Sequence, residues 1–402
     1  MITKQFKKSF TQQEAIPEDG VNSALEVLRS GKLHRYNTQV DEISETAQFE
    51  REYANYQGAR YCVAVTSGGQ SLQIALRAVG VKSGDKILAN AYTLAPVPGA
   101  IHAAGALPVF VEIADDWLTD IDDLRNKALK SGAKFFMLSH MRGHIADMGA
   151  ICEICEEFDI TLIEDCAHTM GAMWKGRKSG NFGKVACFST QTYKHMNSGE
   201  GEILTTDIDE IAARAVILSG SYMLFERHGA VPSREVFQNI SLETPNCSAR
   251  LDNLRAAILR SQLSILDHNI QRWNQRYRII ENGLRKTPWV RVVERAQHEA
   301  FVGSSIQFHV EFQTTENIRV LIDACQCRGV EIKWFGSEDP VGFTSRYDSW
   351  QYLGDIPKLP KTLSVLSTTC DIRVPLTFDE HDCENIAQII CEEAERVAVL
   401  VE

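Results

Sequence analysis

The sequence predicts an α/β protein, a mostly parallel sheet covered by helices on both faces and followed by a smaller α+β unit. Three observations carry this expectation. A chain of 402 residues exceeds one ordinary hydrophobic core, so a large unit and a smaller one are expected. From about residue 60 to 205, short apolar runs rich in β-branched residues alternate with helical patterns. Strands buried on both faces of a parallel sheet read in this way. Past Pro288 the pattern changes to a shorter alternation of strand-like and helix-like segments.

Taken in order, "RYCVAVTSG", "DKILAN", "LPVFVEI", "KFFMLSH" and "ITLIEDC" read as strands. Between them, "QSLQIALRAVG", "APVPGAIHAAG" and "ADMGAICEICEEF" carry helical apolar spacing. The stretch from Arg250 to about Lys286 has no proline and a helical pattern, and it stops near Pro288, which predicts one long helix linking two units. Strand-like "SSIQFHVEF", helix-like "ENIRVLIDACQCRG", strand-like "VEIKWFG" and a helix from Asp379 onward complete the smaller unit. The expected division is residues 1–265, with an N-terminal arm, and residues 266–402.

Composition narrows the function. Hydrophobic content of 44% and charged content of 24% are those of a soluble globular protein. A net charge of -11 gives no general attraction to nucleic acid or anionic membranes. The first twenty residues hold no apolar signal core and no later segment has the length of a membrane span, so a cytoplasmic location is expected. Eleven scattered cysteines suit reduced thiols. Cys152 and Cys155 lack a second ligand pair for zinc, so they read as core packing, as do Cys325 and Cys327, and no metal is expected.

In a parallel sheet, ligands gather at the carboxyl ends of the strands. That rule selects Ser67 to Gln70, Tyr92, His140, Asp165 and Ser189. In "TSGGQSL" a strand runs into a helix through Ser67, Gly68 and Gly69, which leaves unpaired N–H groups and a positive dipole end for an anion. The same residues also suit a plain turn. Asp165 closes an apolar strand in "LIEDCAHTMGA", where a poorly solvated carboxylate needs a cationic partner, although turn or capping aspartates are common. His168 either orients a ligand there or packs as a core histidine. In "CFSTQTYKHMNSGEGE", Ser189 offers a hydroxyl and Lys194 follows five residues later. A desolvated lysine loses basicity and can form a Schiff base, whereas most lysines are solvated surface charges.

Six stretches in this order resemble the DegT/DnrJ/EryC1/StrS aminotransferases, pyridoxal-phosphate enzymes of the aspartate aminotransferase-like fold type I: "SGGQSL", "AYTLAPVPGAIHAAGALPVFVEI", "HMRGHIADM", "IEDCAHTMGA", "CFSTQTYKHMNSGEGE" and "RLDNLRAAILRSQL". The resemblance runs from about Ser30 to Gln262 and more loosely beyond. It implies a three-layer α/β sandwich, with Lys194 holding pyridoxal phosphate as an internal aldimine and moving the proton. It further implies that Asp165 pairs with the pyridine nitrogen. Gly68, Gly69 and Gln70 would meet the phosphate with Ser189, Tyr92 would stack on the ring, and His168 would stand beside the 3-hydroxyl. Asn246 would reach the phosphate of a partner subunit. That residue lies four before Arg250, whereas the family places its asparagine two before, where this chain has Ser248.

Arg142, His144 and Glu202 also depart from the family's pattern, at positions expected to touch the substrate side more than the cofactor. Relatives with histidine at the lysine position run as dehydrases; this chain has Lys194 there and His195 beside it. The resemblance therefore implies ping-pong transfer of an amino group from glutamate or glutamine, through pyridoxamine phosphate, to a keto sugar, often nucleotide-linked, or a keto-cyclitol. A homodimer with shared active sites is implied as well. Two alternatives stand beside this: a pyridoxal-phosphate transaminase or lyase acting on a small amino or keto acid, and a non-catalytic pyridoxal-phosphate-binding regulator.

Overall fold

A computed structural model describes residues 4–39, 41–238, 240–312 and 314–401. Its centre is a seven-stranded sheet. In chain order the strands are β1 (Tyr61–Val65), β2 (Lys86–Asn90), β3 (Leu107–Val111), β4 (Phe135–Ser139) and β5 (Thr161–Asp165). After the two-residue strands β6 (Met173–Trp174) and β7 (Arg177–Lys178) come β8 (Val185–Ser189) and β9 (Glu202–Thr206). The spatial order is β1-β9-β8-β5-β4-β2-β3. Only β9 runs antiparallel to its neighbours, pairing with β1 and β8.

Side-chain alternation along each strand divides the interior into two cores. Cys62, Ala64, Phe136, Leu138, Ala186 and Phe188 point to one face. Val63, Val65, Met137, Ile163, Val185 and Cys187 point to the other. A period of two forces this separation, and it makes the strands apolar throughout. Helices α1 (Glu18–Ser30) and α2 (Glu45–Gln57) precede the sheet, and α3 (Gly68–Ala78), α4 (Pro96–Ala103), α5 (Ile121–Ser131), α6 (Met148–Glu157) and α7 (Asp209–Ser219) follow its strands. Phe49 and Tyr53 of α2 and Ile151 and Ile154 of α6 fill the first core. Leu72 and Leu76 of α3 and Val216 of α7 fill the second. The result is the three-layer sandwich expected from the sequence.

After the short α8 (Arg234–Gln238), the long helix expected over 250–286 is instead two, α9 (Asn253–Leu263) and α10 (Leu266–Leu284). The break falls at Ser264 and Ile265, where Ile265 adopts φ -111° and ψ 5° and its N–H reaches Gln262 O at 3.3 Å. The apolar periodicity runs through this corner because both helices still pack Leu259 and Leu266 into the same core. Strands β10 (Val290–Arg291), β12 (Ser305–Val310), β13 (Lys333–Trp334) and β14 (Thr369–Arg373) form an antiparallel four-stranded sheet, while β11 (Glu299–Ala300) pairs with β6. Its third core also takes side chains of α10, α11 (Thr315–Cys327) and α13 (Glu380–Val401). Helix α12 (Pro360–Thr368) leads into β14. Where "VEIKWFG" suggested a full strand, only two residues pair. All eleven cysteines are free; Cys325 is buried as expected, but Cys327 stands exposed on the outer side of α11.

Candidate active site

The carboxyl ends of the parallel strands share one edge of the sheet. Ser139 at the end of β4 is directly opposite Asp165 at the end of β5, and Asp165 is opposite Cys187 on β8. A cavity of about 470 Å³ opens at this edge. Gly68, Gly69, Asp165, His168, Ser189 and Lys194 all line it. The sequence reading had placed these residues at separate strand ends, and the fold brings them together.

Helix α3 begins at the cavity. Ser67 occupies the N-cap position without a capping side-chain bond, and the first backbone bond of the turn is Ser71 N to Ser67 O at 3.0 Å. The N–H groups of Gly68, Gly69 and Gln70 are thereby left as donors at the positive end of the helix. A Cβ at position 68 would lie 3.1 Å from Glu202 Oε2, so glycine permits the close approach of β9 here.

Lys194 sits on the loop between β8 and β9. That loop is pinned by Thr190 N to Gly201 O (2.9 Å), Ser198 N to Thr190 O (2.9 Å) and Lys194 N to Gln191 O (2.8 Å). Helix α9 holds it from outside, with Gln262 accepting from Asn197 N at 2.7 Å and donating to Asn197 O at 2.8 Å. The Lys194 ammonium donates to His168 Nε2 at 2.8 Å, and no acidic side chain forms an ion pair with it among the described residues. Burial, reinforced by the Arg142 guanidinium, lowers its pKa to about 8, against the pull of Asp165 and Glu202. Burial and the neighbouring Lys194 hold His168 well below the usual histidine range, so its ring is neutral. His195 points away, with Nε2 3.0 Å from Ser304 Oγ and its ring edge-on to Trp273.

Asp165 is held by two donors, Ser139 Oγ at 2.7 Å and Ala167 N at 3.1 Å. Beneath it lies a buried pair, His140 Nε2 and Glu164 Oε2, 3.1 Å apart. His140, Glu164 and Cys166 come close enough together to suggest a metal site, but both Glu164 oxygens already accept backbone N–H groups, from Gly180, Phe182 and Gly183. The group therefore serves to fix the strand end that carries Asp165.

One of the expected cofactor residues is placed elsewhere. The Tyr92 ring packs edge-on against Phe335 at 5.1 Å in a buried apolar cluster, and the cavity wall is built without it. A bulky ring gains more from that apolar burial than from the open cavity. The Gln70 side chain lies off the wall, and its expected contact is through the backbone N–H at the start of α3. Asn246 is exposed and accepts from Ser248 N at 3.0 Å, outside this chain's own cavity.

The structure adds residues that the strand-end rule did not select. Arg142, held at φ 54°, forms a two-pronged ion pair with Asp371 of β14, which also accepts from Gln307 Nε2 at 2.6 Å. His144 Nε2 meets Gln307 Oε1 at 2.7 Å, so both departures from the family's pattern fasten the strand-end loop to the C-terminal sheet. Arg373 lines the cavity and forms no ion pair among the described residues; its guanidinium stacks on Tyr193 at 4.0 Å, and Phe343 is 5.2 Å away. Glu202 completes the wall beside Gly68.

An α/β sandwich with a helix N-terminus, a strand-end carboxylate and a buried lysine around one cavity defines the aspartate aminotransferase-like class of fold type I. The chain belongs to the DegT/DnrJ/EryC1/StrS aminotransferase family, whose profile matches residues 15–390. It is 32% identical over 252 residues to the L-glutamine:2-deoxy-scyllo-inosose aminotransferase of Streptomyces kanamyceticus, covering 62% of this chain and 59% of that one. A protein of the same name from Streptoalloteichus tenebrarius is 31% identical over 317 residues, 75% of this chain and 74% of the relative. Among solved structures, S. venezuelae DesV in complex with a ketimine intermediate superposes with a TM-score of 0.80 at 27% identity, covering 94% of this chain and 95% of that one. The first of these matches thus spans less than two thirds of its relative's length.

Proposed function

We propose that this chain is a pyridoxal-phosphate-dependent aminotransferase that moves an amino group from glutamate or glutamine to a keto-cyclitol or keto sugar. The observation that carries the reading is the convergence of Lys194, Asp165 and the open N-terminus of α3 on one cavity. These residues fit the cofactor. The N–H groups of residues 68–70 and the Ser189 hydroxyl suit its phosphate, the Asp165 carboxylate its ring nitrogen, and the Lys194 amine its carbonyl carbon. Bound there, pyridoxal phosphate supplies an electron sink for the carbon that loses a proton.

The chain's own groups do the rest. With a pKa of about 8, Lys194 gives a substantial neutral fraction near neutrality and can both take up and return a proton. The neutral His168 ring accepts from Nζ and aims it across the cavity. Ser139 and Ala167 fix the Asp165 carboxylate so that it faces a cationic partner without rotating.

The names of the two relatives support a cyclitol ketone as acceptor and glutamine as donor. One observation favours the second reading, a small keto acid: Arg373 presents a guanidinium without an ion-pair partner, and a carboxylate would satisfy it. The assembly we propose is a homodimer completing its sites across the interface. Tyr222, Met223 and Leu242 are large apolar residues exposed in the segments on either side of α8, with Leu242 91% exposed, and exposed apolar groups of this kind suit a subunit contact. No helix among the described residues is long and apolar enough to cross a membrane, and a cytoplasmic location is proposed with the rest.

The test is a two-stage assay. Protein loaded with pyridoxal phosphate is mixed with glutamine or glutamate, freed of donor, and offered 2-deoxy-scyllo-inosose, a nucleotide-linked keto sugar, or pyruvate. Amination of either of the first two supports the proposal. Turnover of pyruvate alone would move the assignment to the keto-acid reading.

A further inference from the structure

Glu202 is a residue of the cavity wall that the strand-end rule does not select and at which the chain departs from the family's pattern. Because β9 runs antiparallel, its first residue, rather than its last, arrives at the functional edge of the sheet. The register sets Glu202 opposite Val65 and Ser189, the last residues of β1 and β8. Its side chain is 1% exposed, and Oε2 has no hydrogen-bond partner. That atom lies beside the first residue of α3, close enough for a Cβ at Gly68 to meet it at 3.1 Å. A buried acid with one unpartnered oxygen therefore enters the helix start best suited to a phosphate.

An ionised carboxylate there would repel phosphate, whereas a neutral carboxyl would be a hydrogen-bond donor. Burial and the Asp165 charge raise the Glu202 pKa well above the carboxylate range, and Glu200 adds to the rise, while Lys194 and Ser189 oppose it. From the other packed elements, the Tyr53 hydroxyl of α2 and the Cys187 thiol of β8 face the same region. Burial raises both, so neither brings a charge.

We propose that Glu202 is a specificity residue for the phosphate of the cofactor: its carboxyl stays protonated in the turn at Ser67–Gly69 and donates a hydrogen bond to a phosphate oxygen. The inference rests on the pyridoxal-phosphate reading of the site. A hydrogen bond from a carboxyl to an anionic oxygen is short and strong, and loss of the proton replaces it with repulsion. Preference for a phosphorylated ligand should therefore persist for as long as the carboxyl keeps its proton, the phosphate itself holding a constant charge well above its second pKa of about 6.

The experiment titrates the apo full-length chain with pyridoxal phosphate and, separately, with unphosphorylated pyridoxal, between pH 7 and 9.5. The readout is the ratio of the two dissociation constants, in which Lys194 ionisation and ring contacts common to both ligands cancel. In the wild type the preference for pyridoxal phosphate should equal that of Glu202→Gln at pH 7 and hold for as long as the carboxyl keeps its proton. Glu202→Gln keeps an N–H donor without a titrating group, and should retain the preference at every pH. Glu202→Ala should show a preference about tenfold lower at pH 7. A preference in Glu202→Ala equal to or stronger than that of the wild type at pH 7, or a stronger one in Glu202→Gln, would overturn the proposal while leaving the cofactor reading intact. Failure of either ligand to bind would overturn both. If the alanine variant does not fold, the wild-type series and the near-isosteric Glu202→Gln still decide.

Discussion

Two buried clusters of charge in this chain are closed in different ways. On one side of the sheet, Arg35 and Glu50 are fully buried and joined by two bonds of 2.8 Å. Glu50 also accepts from Ala64 N and Gly229 N, and the Tyr36 hydroxyl lies 2.6 Å from His228 Nε2. Nearly every polar atom there has a partner, and the cluster ties α2 and β1 to the segment around His228. At the cavity, Lys194 has a neutral histidine for a partner, Glu202 has an orphaned oxygen and Arg373 has no ion pair among the described residues. A buried charge costs several kcal/mol unless it is paired. A fold that satisfies one cluster and leaves another open has kept the second for a ligand.

The contrast can be broken at either end. The largest effect on chemistry is expected from Lys194→Ala, which removes the amine but no structural bond of the first cluster. Amino transfer should fall on the order of 10⁴-fold or more, while the thermal midpoint at pH 7, read by calorimetry, should not fall and should rise as the buried ammonium is removed. Glu50→Ala should do the reverse. Stranding Arg35 should cost about 3–5 kcal/mol in denaturant unfolding, while the folded fraction still binds pyridoxal phosphate with wild-type affinity.

Asp165→Asn keeps shape and removes charge. Turnover should fall on the order of 10²-fold, with a smaller change in cofactor affinity, as read by single-turnover kinetics against equilibrium titration. The pH dependence sharpens the same contrast. The folded pKa of Lys194, about 8, lies below the ordinary 10.5, so the ammonium is the disfavoured form in the folded chain. Its cost to stability is fully present below pH 8 and disappears as pH rises toward 10.5. The rate at which apo protein links pyridoxal phosphate should accordingly rise with a half-point near pH 8, measured by stopped-flow absorbance. Tyr36→Phe removes one hydroxyl from the closed cluster, and about 1 kcal/mol of stability should be lost with no change in transfer rate.

Much of this was legible in the sequence because parallel strands carry their information at one end. Apolar runs predicted the strands, and the residues just past them supplied Gly68, Gly69, Asp165 and Ser189. Glu202 escaped because it begins the antiparallel strand, where the same rule looks at the wrong end. Arg373 and Phe343 escaped because they reach the cavity from 179 and 149 residues beyond Lys194 in the numbering, and nothing in their local pattern signals that approach. Arg227, His228, Arg234, Arg346, Tyr347 and Trp350, loop residues whose types could bind a substrate, all lie off the cavity wall. His228 closes the Arg35–Glu50 cluster instead, while Tyr347 and Trp350 pack into the core beside Phe110. The corner between α9 and α10 was invisible because apolar spacing continues through it.

The most direct test of the central claim, that Lys194 is the residue around which the open cluster is arranged, is borohydride reduction of the protein mixed with pyridoxal phosphate, followed by peptide mapping. The expected result is one pyridoxyl group per chain on Lys194, absent from Lys194→Ala. Labelling of another lysine, or equal labelling in the variant, would contradict the claim.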